Sequence, residues 1–269
     1  MTSTADLHTR PAAEAIPELL EVYGGRLYAV ARRLSKSDAD AQDLVQETFL
    51  RAMQKWDQFE GRSDPGTWLH TILVRLASRG WRDAKRRQGA APTMPFGDRV
   101  LDLPDRGEGP LESNIRAEAS EAVERAIADL PPEYRLPVVL REIAERSHAE
   151  VAEILGLKEA TVRVRVHRGR LALREKLLEA LPTRVAPPAT ASKRLCLDLL
   201  AAKQAALDNG TEFVFEGGPL CERCQAVFRD LELTHDACKE APAIEALPEP
   251  IRARLEADLR ATRGRSNRT

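Results

Sequence analysis

Aromatic side chains make up only 4% of this 269-residue chain, and no apolar run approaches the roughly 20 residues that a membrane-spanning helix needs. The N-terminal stretch MTSTADLHTRPAAEAIPELL lacks the charged start and apolar core of a secretory signal. No run of alternating β-branched residues is long enough to predict a sheet, whereas the residues that favour helices are abundant. These absences predict an all-α protein of the cytoplasm with no membrane partner.

Cysteine is also scarce, with four residues in the chain. In a reducing compartment such residues are more often thiols or metal ligands than structural disulfides. All four lie in the C-terminal third, so the sequence confines any cysteine chemistry to that part.

Two segments rich in proline, glycine or small residues divide the chain. The stretch 89–112 has four prolines and four glycines, which predicts a loop. The stretch 182–193, PTRVAPPATASK, is typical of an extended tether. These linkers leave three units, at 1–88, 113–181 and 194–269.

The first unit contains a predicted helix, in DADAQDLVQETFLRAMQKWDQF, with two different faces. Its apolar stripe comprises Leu44, Val45, Thr48, Phe49, Ala52, Met53 and Trp56. The opposite face carries Asp43, Gln46, Glu47 and Leu50. Such a face is usually just solvated, but a leucine framed by carboxylates also suits the docking of a basic partner.

The next predicted helix, TWLHTILVRLASRGWRDAKRR, has Thr67 as its expected N-cap and carries a row of arginines. Arg75, Arg79 and Arg82 share one face, and the stretch 75–87 has six basic residues and one acidic residue. A row of this kind is either solvated or bound to a phosphate backbone.

The middle unit predicts three short helices within LPPEYRLPVVLREIAERSHAEVAEILGLKEATVRVRVHRGRLALREKL. The first spans 132–145, and Pro137 should loosen its first turns because proline cannot donate a backbone hydrogen bond.

A capping box and a glycine turn define the other two helices. Ser147 and Glu150 form the box, the second helix ends at Leu155, and Gly156 supplies the turn. The third helix starts near Lys158. This is the helix-turn-helix pattern, whose second helix enters the major groove of DNA.

Charge is concentrated in these two segments. The whole chain has 41 basic and 42 acidic residues, yet the stretch 158–176 has seven basic residues and two acidic ones. A near-neutral protein with two strongly basic helices is expected to present them to nucleic acid.

Taken together, these motifs resemble the extracytoplasmic-function (ECF) type of bacterial RNA polymerase sigma factor. The two helices of the first unit resemble the family's second conserved region, and the helix-turn-helix resembles its fourth; together they cover roughly residues 15–88 and 120–178. The resemblance implies a sigma factor that binds core RNA polymerase, directs initiation at specific promoters, and needs no cofactor to do so.

The resemblance also implies roles for particular residues. The face with Asp43, Gln46, Glu47 and Leu50 would dock on the polymerase. The loop 57–66 and the helix after it would capture and melt the −10 element, with Arg75, Arg79 and Arg82 along the DNA. The recognition helix would read the −35 element through Lys158, Thr161, Arg163, Arg165 and Arg168. The resemblance leaves open whether a separate anti-sigma factor is a further partner.

The C-terminal unit predicts a helix that is capped by Ser192, has Leu195, Leu199, Ala202 and Ala206 as its apolar stripe, and stops at Asn209-Gly210. Beyond it, Cys221 and Cys224 form a C-x-x-C. Two thiolates at this spacing suit one soft metal ion, zinc or copper. Cys238 is the expected third ligand, and Cys196 or His235 the fourth.

Two other interpretations of the cysteines stay open: a redox pair, or unrelated thiols. The cysteine-bearing tail resembles those of metal-responsive sigma factors, which implies a built-in sensor. The segment 243–269 predicts an amphipathic helix without an assigned role.

Two other classes of protein share parts of this pattern. A stand-alone transcriptional regulator would also have a helix-turn-helix, but it would need a dimer surface and a ligand domain. An enzyme would need a catalytic set, and we find no Ser/His/Asp arrangement, no glycine-rich phosphate loop and no βαβ pattern.

Overall fold

The computed structural model of the chain describes residues 4–88, 115–179, 192–215, 220–240 and 247–266, which form helices joined by turns, with no β-strand among them. The all-α prediction is confirmed. The linker 89–112 and residues 182–191 of the second linker lie outside the described residues.

Ten α-helices follow one another in the described ranges. They are α1 (Ala12–Leu34), α2 (Asp38–Gln54), α3 (Pro65–Gln88), α4 (Ile115–Ala128), α5 (Pro132–Val138), α6 (His148–Leu155), α7 (Glu159–Glu179), α8 (Lys193–Asn209), α9 (Glu222–Glu240) and α10 (Glu249–Ser266).

The capping box of the helix-turn-helix is present as predicted. The Ser147 hydroxyl accepts the backbone N–H of Glu150, and the Glu150 carboxylate accepts the backbone N–H of Ser147 at 2.8 Å. Gly156 ends α6 with φ of 64°, a left-handed conformation that glycine adopts without strain. A serine N-cap, Ser192, and a left-handed glycine, Gly210, bound α8, without a capping box.

Two helix boundaries differ from the prediction. The helix α3 begins at Pro65 rather than at Thr67, because the Asp64 carboxylate accepts the Thr67 N–H at 3.2 Å and proline suits a first helical position. The predicted helix 132–145 ends at Val138 and continues as a π-helical turn, Val139–Ile143. Pro137, which lacks an N–H, lies just before this change.

The buried stripe of α8 is rotated from the predicted one. Leu199 and Ala206 are buried, but Leu195 and Ala202 are exposed. Cys196, Leu200, Lys203 and Gln204 are buried instead. Hydrophobic spacing alone favoured two residues that do not face the core.

The described helices belong to two compact units. Of the described residues, the first comprises 4–88, 139–162 and 247–266, and the second comprises 115–138, 163–179, 192–215 and 220–240. In the first unit α1, α2 and α3 pack together, α6 packs on α3, and α10 packs on α2. In the second, α9 packs on α4 and α8. Its core includes Leu171 of α7 together with Cys196, Leu199, Leu200, Cys224, Val227, Phe228 and Leu231.

Candidate functional site

The predicted polymerase-docking face lies on α2, above a buried stripe that includes Val45 and Phe49. Asp43 is exposed, whereas Gln46, Glu47 and Leu50 are half-buried. Glu47 accepts a hydrogen bond from Arg51 of the same helix at 2.6 Å. The face therefore has an apolar residue among acidic and amide groups, on the side of α2 opposite Val45 and Phe49.

An aromatic cluster holds the loop between α2 and α3. The ring centroids of Trp56 and Phe59 are 5.3 Å apart, and those of Phe59 and Trp68 are 4.9 Å apart. The Trp56 indole also donates to the carbonyl of Arg10 at 2.7 Å. Such contacts between aromatic rings add to the burial of their surface, so the loop 57–66 leaves α2 along a defined path.

Asp64, at the end of that loop, is the centre of a polar network within the first unit. Its carboxylate accepts hydrogen bonds from the Tyr23 hydroxyl and from the Arg146 guanidinium, each at 3.2 Å. Arg146 also donates to Glu150 at 2.9 Å, and the Thr67 hydroxyl approaches the same carboxylate at 3.4 Å. The beginning of α3 is thus joined to the first helix of the helix-turn-helix.

This network keeps the Glu150 carboxylate ionised. Burial alone would raise the pKa of Glu150, but hydrogen bonds from the Ser147 backbone and hydroxyl and from Arg146 lower that pKa to about 2. The sequence pattern indicates only a capping role for Glu150. Arg146 and Ser147 lie four and three positions away, but Thr67 lies 83 positions away, so spacing within α6 could not show that contact.

His70 is fully buried next to the same network. Its Nδ1 lies 2.6 Å from the carbonyl oxygen of Gly66, and its Nε2 has no hydrogen-bond partner. Burial, helped by the nearby charge of Arg146, lowers the pKa of His70 to about 4, although the hydrogen bond to Gly66 and the carboxylates Asp64 and Glu150 oppose this shift. The ring is therefore neutral at pH 7, with Nδ1 donating to the carbonyl.

Two of the three arginines predicted to lie along the −10 DNA are exposed on α3. These are Arg75 and Arg79. Arg82 belongs to the same helix, but its side chain is outside the described part. The Trp81 indole donates to the Leu34 carbonyl at 3.0 Å and fastens this part of α3 to α1.

The N-terminal half of α7 carries the predicted −35 residues. Lys158, Arg163 and Arg168 are exposed, whereas Thr161 and Arg165 are half-buried. Val164, which the sequence did not indicate as a site residue, is an apolar side chain 48% exposed among these cations.

The C-terminal half of α7 faces α8 and α9 instead of solvent. Arg170 and Asp208 form an ion pair at 2.7 Å, and Arg174 donates to Asp230 through Nε at 3.0 Å. Both arginines are buried. These two cations contributed to the basic count of the sequence, yet acidic residues of α8 and α9 neutralise them.

Three of the four cysteines converge near the start of α9. The sulfur atoms of Cys196, Cys221 and Cys224 all lie within 4.8 Å of one another, and those of Cys196 and Cys224 are 3.7 Å apart. Bonds of about 2.3 Å to one tetrahedral zinc ion place two sulfurs roughly 3.8 Å apart. The spacing therefore fits a single soft metal ion, and the cluster can hold one.

The other two predicted ligands are not part of this group. Cys238 is buried and His235 is half-buried, both on α9. Burial, followed by the neighbouring thiols Cys221 and Cys196, raises the pKa of Cys224 to about 12. Without a metal this cysteine is a protonated thiol.

The helical fold, the helix-turn-helix and the basic helices define a DNA-binding protein of the transcription machinery. Residues 19–87 match Sigma-70 region 2, and residues 120–173 match Sigma-70, region 4. The ECF RNA polymerase sigma factor SigE of Mycolicibacterium smegmatis is 34% identical over 182 residues, which cover 65% of this chain and 68% of SigE. SigW of Bacillus subtilis, another ECF sigma factor, is 30% identical over 61% of this chain and 89% of SigW.

The chain belongs to the ECF family of RNA polymerase sigma factors. It binds core RNA polymerase and promoter DNA, directs DNA-templated transcription initiation, and is not an enzyme. The region 2 match sets aside the alternative of a stand-alone helix-turn-helix regulator. Among solved structures, CnrH in complex with the cytosolic domain of CnrY is similar to this chain, with 25% sequence identity and a TM-score of 0.48. The alignment spans 66% of this chain and 99% of the matched chain.

Neither family match reaches residues 174–269. In the described ranges, no helix is both long and apolar enough to cross a membrane.

Proposed function

We propose that this sigma factor uses three surfaces for initiation. The α2 face docks on core polymerase, the loop 57–66 with the α3 arginines engages the −10 element, and the start of α7 reads the −35 element. The residues assigned to these tasks are Asp43, Gln46, Glu47 and Leu50 for polymerase; Arg75, Arg79 and Arg82 for the −10 element; and Lys158, Thr161, Arg163, Arg165 and Arg168 for the −35 element.

The observation that carries the −35 assignment is the contrast between the two halves of α7. Arg163 and Arg168 are exposed in the first half, while Arg170 and Arg174 are buried in the second. An arginine can bind guanine with two hydrogen bonds, and the methyl groups of Val164 suit the methyl group of thymine.

Alanine variants at Arg163 and Arg168 test this assignment, with the exposed Arg26 of α1 as a matched control. A base contact should cost about 1–3 kcal/mol and relax specificity at one position, whereas a phosphate contact should lower the salt slope of binding by about 1. Footprinting of the reconstituted holoenzyme on promoter variants measures both. The assignment fails if R163A and R168A both bind like R26A.

We further propose that the tail is a sensor of zinc or copper. The three sulfurs supply the soft donors that both metals prefer. The protonated, buried Cys224 argues against a redox dithiol, because such pairs rely on a lowered thiol pKa and access to solvent. A metal here would join α8 to the start of α9, in the same core that includes Leu171 of α7.

The ligand set is open to a direct test. We expect C196S, C221S and C224S each to abolish stoichiometric binding of zinc or Cu(I) to the full chain. C238S and H235A are the matched comparisons, since these residues lie on the same helix α9 but outside the group. Loss of metal in either comparison variant would add that residue as a fourth ligand.

Regulation requires a second readout. Transcription in vitro by core polymerase with the full chain should change on addition of zinc, copper or a chelator, and C221S should remove that response. An unchanged yield of transcript in every metal state would refute the sensor while leaving the sigma activity intact.

Two further expectations follow from the partners of the family. Because polymerase and promoter DNA are its targets, we propose that the protein works in the cytoplasm. A separate anti-sigma factor is also a proposed partner, to be sought by co-purification with the tagged full chain.

A further inference from the structure

The C-terminal helix α10 lies on the helices that carry the proposed polymerase-docking face. Ile251, Leu255 and Leu259 are spaced four residues apart and are buried, Leu255 to 1% exposure. Leu247, just before the helix, packs over Gly24 of α1, where a Cβ would lie 3.6 Å from the leucine side chain. Spacing of this kind gives a helix one apolar stripe, and here that stripe is covered within the first unit.

Polar contacts from α10 reach the docking residues themselves. Gln46 donates a hydrogen bond to Asp258, and the Arg254 guanidinium lies 3.9 Å from the Asp43 carboxylate. A third contact joins Arg252 to Glu21 of α1 at 3.1 Å. Two of the four residues assigned to polymerase therefore already have a partner on α10.

The charges of the two surfaces are complementary. The exposed carboxylates Glu21 and Asp43 are met by the arginines of α10, whereas the uncharged Gln46 is met by an acid. A basic partner that docks on this face needs the same carboxylates, and it also needs the room that the apolar stripe of α10 fills. Both cannot be bound at once.

We propose that α10 is an intramolecular ligand of the polymerase-docking face and that core polymerase must displace it. This inference rests on the proposed role of the α2 face. It gives a role to the amphipathic segment 243–269, for which the sequence indicated none. The apparent affinity for polymerase is then lower than the intrinsic one by the fraction of molecules in which α10 is released.

Release of α10 is the test, and titration of labelled core polymerase with the full chain is the measurement. If α10 is docked in nine molecules of ten, L255S/L259S should lower the apparent Kd about tenfold. R252E/R254E changes only two α10 side chains, which contact α1 and α2 at the edge of the helix, and it should lower the apparent Kd several-fold. This variant tests the inference even if L255S/L259S fails to fold.

Two controls identify the cause. A253E/A257E adds negative charge to exposed positions of α10 and should leave the Kd unchanged. Reversing the partner as well, in E21R/R252E, should restore the docking of α10 that R252E alone weakens, measured as a return of slow hydrogen exchange in α10. Faster hydrogen exchange of α10 amides in the released variants would verify that the helix has left its site.

The outcomes separate this inference from the proposed docking face. D43A and L50D are placed in the R252E/R254E chain. If they leave polymerase binding unchanged, the docking face is elsewhere and both proposals fall. If they weaken it, but neither release variant lowers the Kd, the face stands and α10 is only a structural helix. A higher Kd after release would also overturn the inference, because α10 would then assist binding.

Discussion

The buried pair between Arg174 of α7 and Asp230 of α9 predicts a large effect of one substitution. Arg174 is 1% exposed and Asp230 is 8% exposed, and the carboxylate accepts from both Nε and Nη2 of the guanidinium. In D230A the guanidinium stays buried without its counter-ion. Breaking a buried pair from one side costs about 3–5 kcal/mol, because the remaining charge has lost both its partner and its water.

The double variant R174M/D230L separates charge from packing. It removes both charges and fills the space with apolar atoms, so we expect it to be as stable as the natural chain or more stable by about 1–4 kcal/mol. A buried unpaired charge therefore predicts a large loss of stability in D230A and no loss of stability in R174M/D230L.

Hydrogen exchange of α9 amides is the suitable assay, since the three tryptophans of the chain all lie in the first unit and their fluorescence does not report on the second. A loss of 3 kcal/mol corresponds to protection about a hundredfold lower. The reasoning is refuted if D230A lowers protection less than tenfold, or if R174M/D230L destabilises as much as D230A.

Three smaller predictions concern the first unit and α7. His70 has a pKa of about 4 when folded against 6.5 when unfolded, so the unfolded chain binds more protons between these values and stability falls as pH decreases from 6.5 to 4. The loss at pH 5 should be about 2 kcal/mol, measured by urea unfolding with tryptophan fluorescence, and H70Q should flatten this dependence. S147A should cost about 1 kcal/mol in the same assay, and an unchanged midpoint would show that Glu150 caps α6 alone. V164S should weaken binding only to promoters with thymine at the contacted position; an equal loss on all promoters would exclude a methyl contact.

The local features of this chain were readable from its sequence because they depend on neighbouring residues. Ser147, Glu150 and Gly156 lie within one short stretch, and their hydrogen bonds and left-handed turn are set by that stretch alone. The same holds for Ser192 and Gly210 at the ends of α8. Capping and turn chemistry operate over a few residues, so a single sequence carries them in full.

Contacts between distant segments were not readable in this way. Arg146 with Asp64 and Arg170 with Asp208 join residues 82 and 38 positions apart, and nothing near either arginine distinguishes it from the exposed arginines of α3. A basic count treats all of them alike. Only the packing of whole helices decides which cations are neutralised by the protein and which remain for DNA.

The tail contacts a different sigma region in each of the two units. In the second unit α8 and α9 share a core with Leu171 and neutralise the buried arginines of α7, while in the first unit α10 lies on the helix that carries Asp43 and Gln46. The cysteine cluster belongs to the former arrangement and the α10 contacts to the latter. C221S should therefore abolish metal binding without releasing α10, and R252E/R254E should strengthen polymerase binding without loss of metal. If C221S also changed hydrogen exchange in α10, metal binding and polymerase docking would be coupled steps of one switch rather than two separate controls.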